Sequence, residues 1–346
     1  MLSTRYAGST SELMDFTQFL VWCRDARQQT PGAESYCETR IGRALSGLLP
    51  VIRTEAPPLR TRRCDLVTRW CQVAGLDAST HATLASEGVR HSLQVIFGLL
   101  ARAGETVAIP TDVYPVYLQL ATKSGLSTVG VATFPSFELE RILDIAAKAA
   151  ARYVLLPQPL KLHGRSWTDD EIAVAEAWLR SDGRRRLMVD GAYRLGQRLS
   201  TACQRLIETD QVVFLDSLSK GWLHEQIFGV AVIPKRDITI YASPFRNLLP
   251  TPSKLFVAKQ LLDEFADTPF KVARELETLR QNLLMRVRLT KHKSLPAQSG
   301  YFVPVECPTQ QMLEQQGMLT IPASVFGSRL SGWSVASALP AAEAHS

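Results

Sequence analysis

Lys220 and Asp190 are the residues of this chain whose types and spacing suggest chemistry. Lys220 closes the stretch Phe214-Leu215-Asp216-Ser217-Leu218-Ser219-Lys220, just past an apolar run and after small hydroxyl residues. Asp190 ends an earlier apolar run in Val189-Asp190-Gly191-Ala192-Tyr193. Both runs predict strands, so both side chains fall at strand ends. A deprotonated lysine there can hold an aldehyde cofactor as a Schiff base, and desolvation or nearby positive charge lowers a lysine pKa. Once displaced by substrate, the same amine can move protons. An aspartate can keep the cofactor's ring nitrogen protonated, so that the ring accepts electrons from a substrate carbanion. Together these are the working pair for pyridoxal 5'-phosphate. The commoner fates of such residues are a solvated lysine and a helix N-cap, so the pair gains its meaning from the residues that accompany it.

Such a cofactor also needs a donor at its phenolic oxygen, a surface for its ring and anion binding for its phosphate. Tyr193, three residues past Asp190, is the candidate donor. Tyr114, in Pro110-Thr111-Asp112-Val113-Tyr114-Pro115, follows a strand end and can stack on the ring. In Ser86-Glu87-Gly88-Val89-Arg90-His91-Ser92 a small-residue turn opens a helix, whose free N–H groups bind phosphate. Gly88 permits close backbone approach, and Ser217 can add a hydroxyl.

Alternating elements must position these residues. Apolar strands are expected at Thr106–Pro110, Ser127–Ala132, Tyr153–Pro157, Leu187–Asp190, Val212–Leu215 and Phe228–Ile233. Helical patterns lie near 89–102, 113–124, 137–150 and 169–181. This βαβ alternation predicts a mostly parallel sheet covered on both faces, with ligands at the carboxyl ends of its strands. Leu13, Phe16, Phe19, Leu20 and Cys23 mark an amphipathic helix over 11–28, and helical patterning resumes at 60–73. Between them, Pro31-Gly32 and Pro57-Pro58 punctuate irregular chain. Residues 253–290 form the longest helical pattern. Past Pro296, short segments at 300–305, 308–316, 318–321 and 333–339 suggest a small α+β cap, and residues 341–346 a frayed end.

Read in order, these pieces resemble fold-type I pyridoxal-phosphate enzymes, specifically the class I/II aminotransferase family. The likeness runs from about residue 60 to 340 and rests on the Gly88 helix start, the turn at 110–115, Asp190-x-Ala192-Tyr193 and Ser217-x-Ser219-Lys220. It implies an α/β fold with a mostly parallel seven-stranded sheet flanked by helices, and a smaller α+β domain. The large domain is expected over 51–250, with 1–50 and 251–346 forming the small one. The resemblance also implies a homodimer with an interfacial active site and ping-pong amino transfer from an amino acid or related amine. Its catalytic positions fall on Lys220, Asp190 and Tyr193, and its cofactor positions also on Ser86, Gly88, Val89, Arg90, Tyr114, Ser217 and Ser219.

Three positions depart from the family pattern. Where the family has an asparagine touching the phenolic oxygen, counting back from Gly164 puts Lys161, with Gln158 a shifted substitute. No arginine follows Lys220 over Gly221–Phe228 to grip the phosphate; His224 is the nearest cation. The late strand that should carry a carboxylate-binding arginine reads Gly332-Trp333-Ser334-Val335-Ala336-Ser337-Ala338, and Arg329 lies in the loop before it. Substrate anchoring is therefore expected from Lys161, Arg329 or backbone donors. A pyridoxal-dependent lyase, cyclase or oxidase of a specialised biosynthetic pathway is the second reading, and a non-catalytic binding protein on the same fold the third.

Composition bounds the rest. The chain has 346 residues, 46% of them apolar and 21% charged, which suits a folded protein with a large core. The net charge of +6 is scattered, and Arg184-Arg185-Arg186 has no interleaved aromatics, so no nucleic-acid partner is expected. The six cysteines form no C-x-x-C pair, so no metal site is expected and reduced thiols in the cytoplasm are. Neither a signal peptide nor an apolar run long enough to span a membrane is seen.

Overall fold

The apolar runs form a seven-stranded sheet in a computed structural model that describes residues 15–53, 62–79, 81–225, 227–246 and 250–341. Leu13, the Pro57-Pro58 pair, the start of the expected helix at 60–73, and residues 342–346 lie outside the described residues. A two-residue strand, β1 (Glu34–Ser35), precedes the sheet. The sheet itself comprises β2 (Ala82–Ser86), β3 (Thr106–Pro110), β4 (Ser127–Val131), β5 (Tyr153–Pro157), β6 (Arg186–Asp190), β7 (Val212–Ser217) and β8 (Gly229–Ile233). Their spatial order is β2-β8-β7-β6-β5-β3-β4. Strand β8 runs antiparallel to both its neighbours, and the remaining pairs are parallel.

Alternation with period two builds the layers. In β7, Val212 and Phe214 enter one core while Val213 and Leu215 enter the other, and β5, β6 and β8 alternate in the same way. Helices Arg63–Ala74, Leu139–Lys148, Asp169–Arg180, Thr201–Glu208 and Pro252–Asp263 cover the first face. Helices Val89–Arg102, Val116–Ser124 and Ile238–Arg246 cover the second. Both faces are dry, which is why these strands read as continuous apolar runs. The same alternation turns Ser86, Asp190 and Ser217 towards the second layer, and Asp216 towards Trp70 in the first.

Strand β2 is absent from the apolar pattern. As an edge strand it pairs only with β8, and its first three residues are half-buried, so it needs no apolar run. The long pattern at 253–290 is two helices, Pro252–Asp263 and Thr268–Leu289. Pro269 sits in the first turn of the second, where its missing N–H is not needed.

A third core joins the two ends of the chain. Strands β9 (Phe302–Val305), β10 (Met318–Leu319), β11 (Ile321–Pro322) and β12 (Ser334–Ser337) follow the long helices. Strands β11-β12-β9 form a small antiparallel sheet, and β10 pairs in parallel with β1. Phe19, Cys23, Ile41 and Leu45 pack here with Val272, Leu276, Val287 and Val335. Helix Phe16–Gln29 opens on a capping box between Asp15 and Gln18. Among the described residues no helix is long and apolar enough to cross a membrane.

Gly229 is opposite both Ser86 and Ser217, where β8 lies between β2 and β7. A Cβ there would lie 2.5 Å from Gly88 Cα and 2.8 Å from the Asp216 carbonyl oxygen. Backbone atoms cannot yield cheaply, so Gly229→Ala is expected to cost about 1–3 kcal/mol of stability. Urea unfolding should show a lower midpoint at unchanged m.

Candidate active site

The carboxyl ends of the parallel strands bring the expected residues together. Asp190, Ser217 and Ser86 are the last residues of β6, β7 and β2, while Tyr114, Lys161 and Lys220 lie in the turns after β3, β5 and β7. Asp190 is buried. Its Oδ2 accepts the Tyr117 hydroxyl at 2.5 Å and its Oδ1 accepts the Ala192 N–H at 2.9 Å. Burial raises its pKa, and those two bonds oppose the rise. The Tyr114 ring meets the Tyr117 ring edge-on at 5.2 Å. Tyr117 was not legible as a site residue: its place in a helix reads as core packing, and its partner is on a distant strand.

Two amines share the face of one tyrosine. Lys220 Nζ lies 5.7 Å from the Tyr193 ring centroid and Lys161 Nζ lies 4.7 Å from it. Burial lowers the Lys220 pKa, with Glu225 and Asp190 opposing. Lys161 is lowered to about 7 by burial and then by the charge of Lys220. The Lys161 amine is also 4.9 Å from the Phe302 ring, 5.3 Å from Phe326 and 5.8 Å from Tyr114. Phe302 and Phe326 are further members that the sequence concealed, since they come from the small sheet and the turn after β11. The Tyr193 hydroxyl lies 3.4 Å from that of Tyr301, which itself points to the Thr39 carbonyl.

The chain around Lys161 directs it and Gln158 to different surroundings. Leu160 bridges to Arg165, and Gly164 turns the chain with φ +61° against Ala297. Gln158 points elsewhere: its Oε1 accepts the Trp167 N–H at 2.8 Å, and its Nε2 lies 3.5 Å from Cys203 Sγ.

A further feature of these strand ends is the start of helix Val89–Arg102. No side chain caps helix Val89–Arg102, so the N–H groups of Val89 and Arg90 open its N-terminus. Gly88 there has φ +133°, and a Cβ on it would meet Ser217 Cβ at 3.6 Å. Ser86 Oγ accepts the Gly88 N–H and the Ser92 hydroxyl, and the Ser217 and Ser219 hydroxyls are 2.8 Å apart. The Arg90 side chain is exposed. His224 faces the Pro50 carbonyl, and Arg329 is exposed. Lys254 reaches the same helix start, but its amine donates to Glu87 at 2.8 Å.

On the opposite face of β7, Asp216 accepts from Arg194 and, at 3.0 Å, from Trp70 Nε1. Arg194 directly follows Tyr193, so this buried pair ties the tyrosine's turn to the strand that leads to Lys220.

This arrangement occurs on a shared scaffold. The aspartate aminotransferase of Rhizobium meliloti superposes with TM-score 0.72 at 14% identity, covering 99% of this chain and 95% of that one. An Escherichia coli protein described as having a methionine aminotransferase function gives 0.70 at 16%, covering 96% of each chain. The aromatic aminotransferase of Pyrococcus horikoshii gives 0.67 at 16%, covering 93% and 95%. The chain has the fold of these aminotransferases. No protein-family model and no curated protein sequence matches it.

Two outcomes follow from the geometry. Removing Arg194 strands a buried carboxylate, so Arg194→Leu is expected to cost about 3–5 kcal/mol in urea unfolding. A lowered lysine pKa means a neutral, nucleophilic amine at lower pH. In cofactor-free protein, Lys161 should therefore acylate with a midpoint near pH 7, well below surface lysines, as read by peptide mass mapping across pH.

Proposed function

We propose that this chain is a pyridoxal-5'-phosphate-dependent enzyme that transfers the amino group of an amino acid or related amine. The observation that carries the reading is the convergence of Lys220, Asp190 and the uncapped helix start at Val89 on one edge of a sheet with the aminotransferase fold. The residues present fit the cofactor. Gly229 lets the Gly88 backbone approach closely, since a Cβ on it would lie 2.5 Å from Gly88 Cα, and Gly88 itself has a φ of +133° that side-chain-bearing residues rarely adopt, beside an open helix N-terminus. Asp190 and Lys220 supply the acid and the amine.

Ser86, Ser217, Ser219 and the Gly88–Arg90 backbone would hold the phosphate, Asp190 the ring nitrogen, Tyr114 a ring face and Lys220 the aldehyde. When bound, the cofactor supplies an electron sink for charge developing on the substrate's α carbon. Each side chain has its own task. Burial makes Lys220 easier to deprotonate than an ordinary lysine, so Nζ can act as nucleophile and then carry a proton to and from the substrate. Burial raises the Asp190 pKa although each of its oxygens accepts a hydrogen bond, and a protonated ring nitrogen beside it would favour the carboxylate. Tyr117 fixes that carboxylate's orientation. The Tyr193 ring lies beside both amines, and its hydroxyl would serve as donor to the phenolic oxygen.

A cytoplasmic homodimer with its site at the subunit interface completes the reading, as does a small domain built from both chain ends. A lyase, cyclase or oxidase on the same scaffold is the second reading. It is favoured by the absence of an arginine from β12 and the flanking Gly332–Ala338 segment, since a bidentate arginine is a strong orienting partner for a carboxylate.

Purified protein is expected to absorb visible light, and Lys220→Ala to lose covalently held cofactor and about 10²–10⁴-fold in rate. An amino-donor screen should yield keto acid beyond one equivalent per enzyme only when an amino acceptor is present. Ammonia released without an acceptor would move the assignment to the second reading, and a colourless protein that cannot be reconstituted would remove both.

A further inference from the structure

We propose that Lys161 anchors the substrate's carboxylate, in place of the arginine missing from β12. The inference rests on the reading of the site as a pyridoxal-phosphate site. Its physical basis is an unspent cation: among the described residues the Lys161 amine has no hydrogen-bond or ion-pair partner, only the rings of Tyr114, Tyr193, Phe302 and Phe326. Aromatic faces hold an ammonium without using its N–H donors, so all three remain free for an incoming anion. Such an anion would also offset the cost of a desolvated, unpaired charge.

Position favours a carboxylate. Lys161 and Lys220 lie over the same Tyr193 ring, so an anion on Lys161 stands beside the amine that handles the substrate's nitrogen. An α-amino acid carries its carboxylate and its nitrogen on one carbon, which matches that adjacency. Asp190, the acid nearby, is already held by Tyr117 and Ala192. Arg329, the alternative anchor, is exposed.

The charged groups facing Lys161 are Lys220, which lowers its pKa, and Asp190, which raises it; the phenols of Tyr114 and Tyr193 complete its surroundings. A bound carboxylate acts in the same sense as Asp190. Binding above pH 7 should therefore take up a proton at Lys161.

The test uses holoenzyme and propionate, a carboxylate with no amine, followed by titration calorimetry. Lys161→Met, which keeps the stem, should weaken binding by about tenfold or more, and Lys161→Arg should recover most of that loss. At pH 8, calorimetry in buffers of different ionisation heat should show proton uptake in the wild type and none in Lys161→Arg. Wild-type affinity in Lys161→Met, or no proton uptake in the wild type, overturns the proposal; the second measurement decides even where the methionine variant fails to fold. Borohydride fixation should map the cofactor to Lys220. Fixation at Lys161 would overturn the anchoring role, whereas a wild type that binds no cofactor would overturn the reading beneath it.

Discussion

Burial at the carboxyl edge of the sheet governs the charged groups of this protein. Every central strand is covered on both faces, so a carboxylate at a strand end must find its partners in the layer it meets. Asp190 meets helix Val116–Ser124 and takes the Tyr117 hydroxyl. Asp216, on the neighbouring strand and the other face, takes Arg194 and Trp70. Moving either strand by one residue would turn its carboxylate to the other face and leave it without its partners. Register is thus an electrostatic requirement of the site as well as a packing one.

The same burial acts oppositely on the amines. It disfavours charge on Lys220 and Lys161, and their mutual repulsion lowers Lys161 further. The edge therefore combines one acid whose pKa burial raises, Asp190, with two amines whose pKa values burial lowers. A cationic ring nitrogen beside Asp190 and an anion beside Lys161 each relieve one of these costs. The protein gains by binding groups of those charges, which is preorganisation expressed as unpaired or strained ionisation.

What the sequence disclosed followed from strand ends. Lys220, Asp190 and Tyr114 were legible because apolar runs end just before or at them, and Gly88 because a small-residue turn opens a patterned helix. Strand β2 was hidden because an edge strand with one partner need not be apolar. Counting alone left Gln158 and Lys161 as rivals. Packing separates them, since Gln158 is spent on Trp167 and Cys203. Tyr117, Phe302 and Phe326 were illegible for one reason: each looks like core in its own element, and its role appears only once remote segments meet.

Those meetings make the site depend on both ends of the chain. Tyr301 reaches from the start of β9 to the Thr39 carbonyl and the Tyr193 hydroxyl, joining the N-terminal segment, the small sheet and the turn after β6. Phe302 and Phe326 place two of the four rings around Lys161 from that same sheet and its following turn. The core that unites them also includes Phe19 and Ile41. The packing of those remote rings is therefore what encloses the Lys161 amine, and that enclosure is the main cause of its lowered pKa.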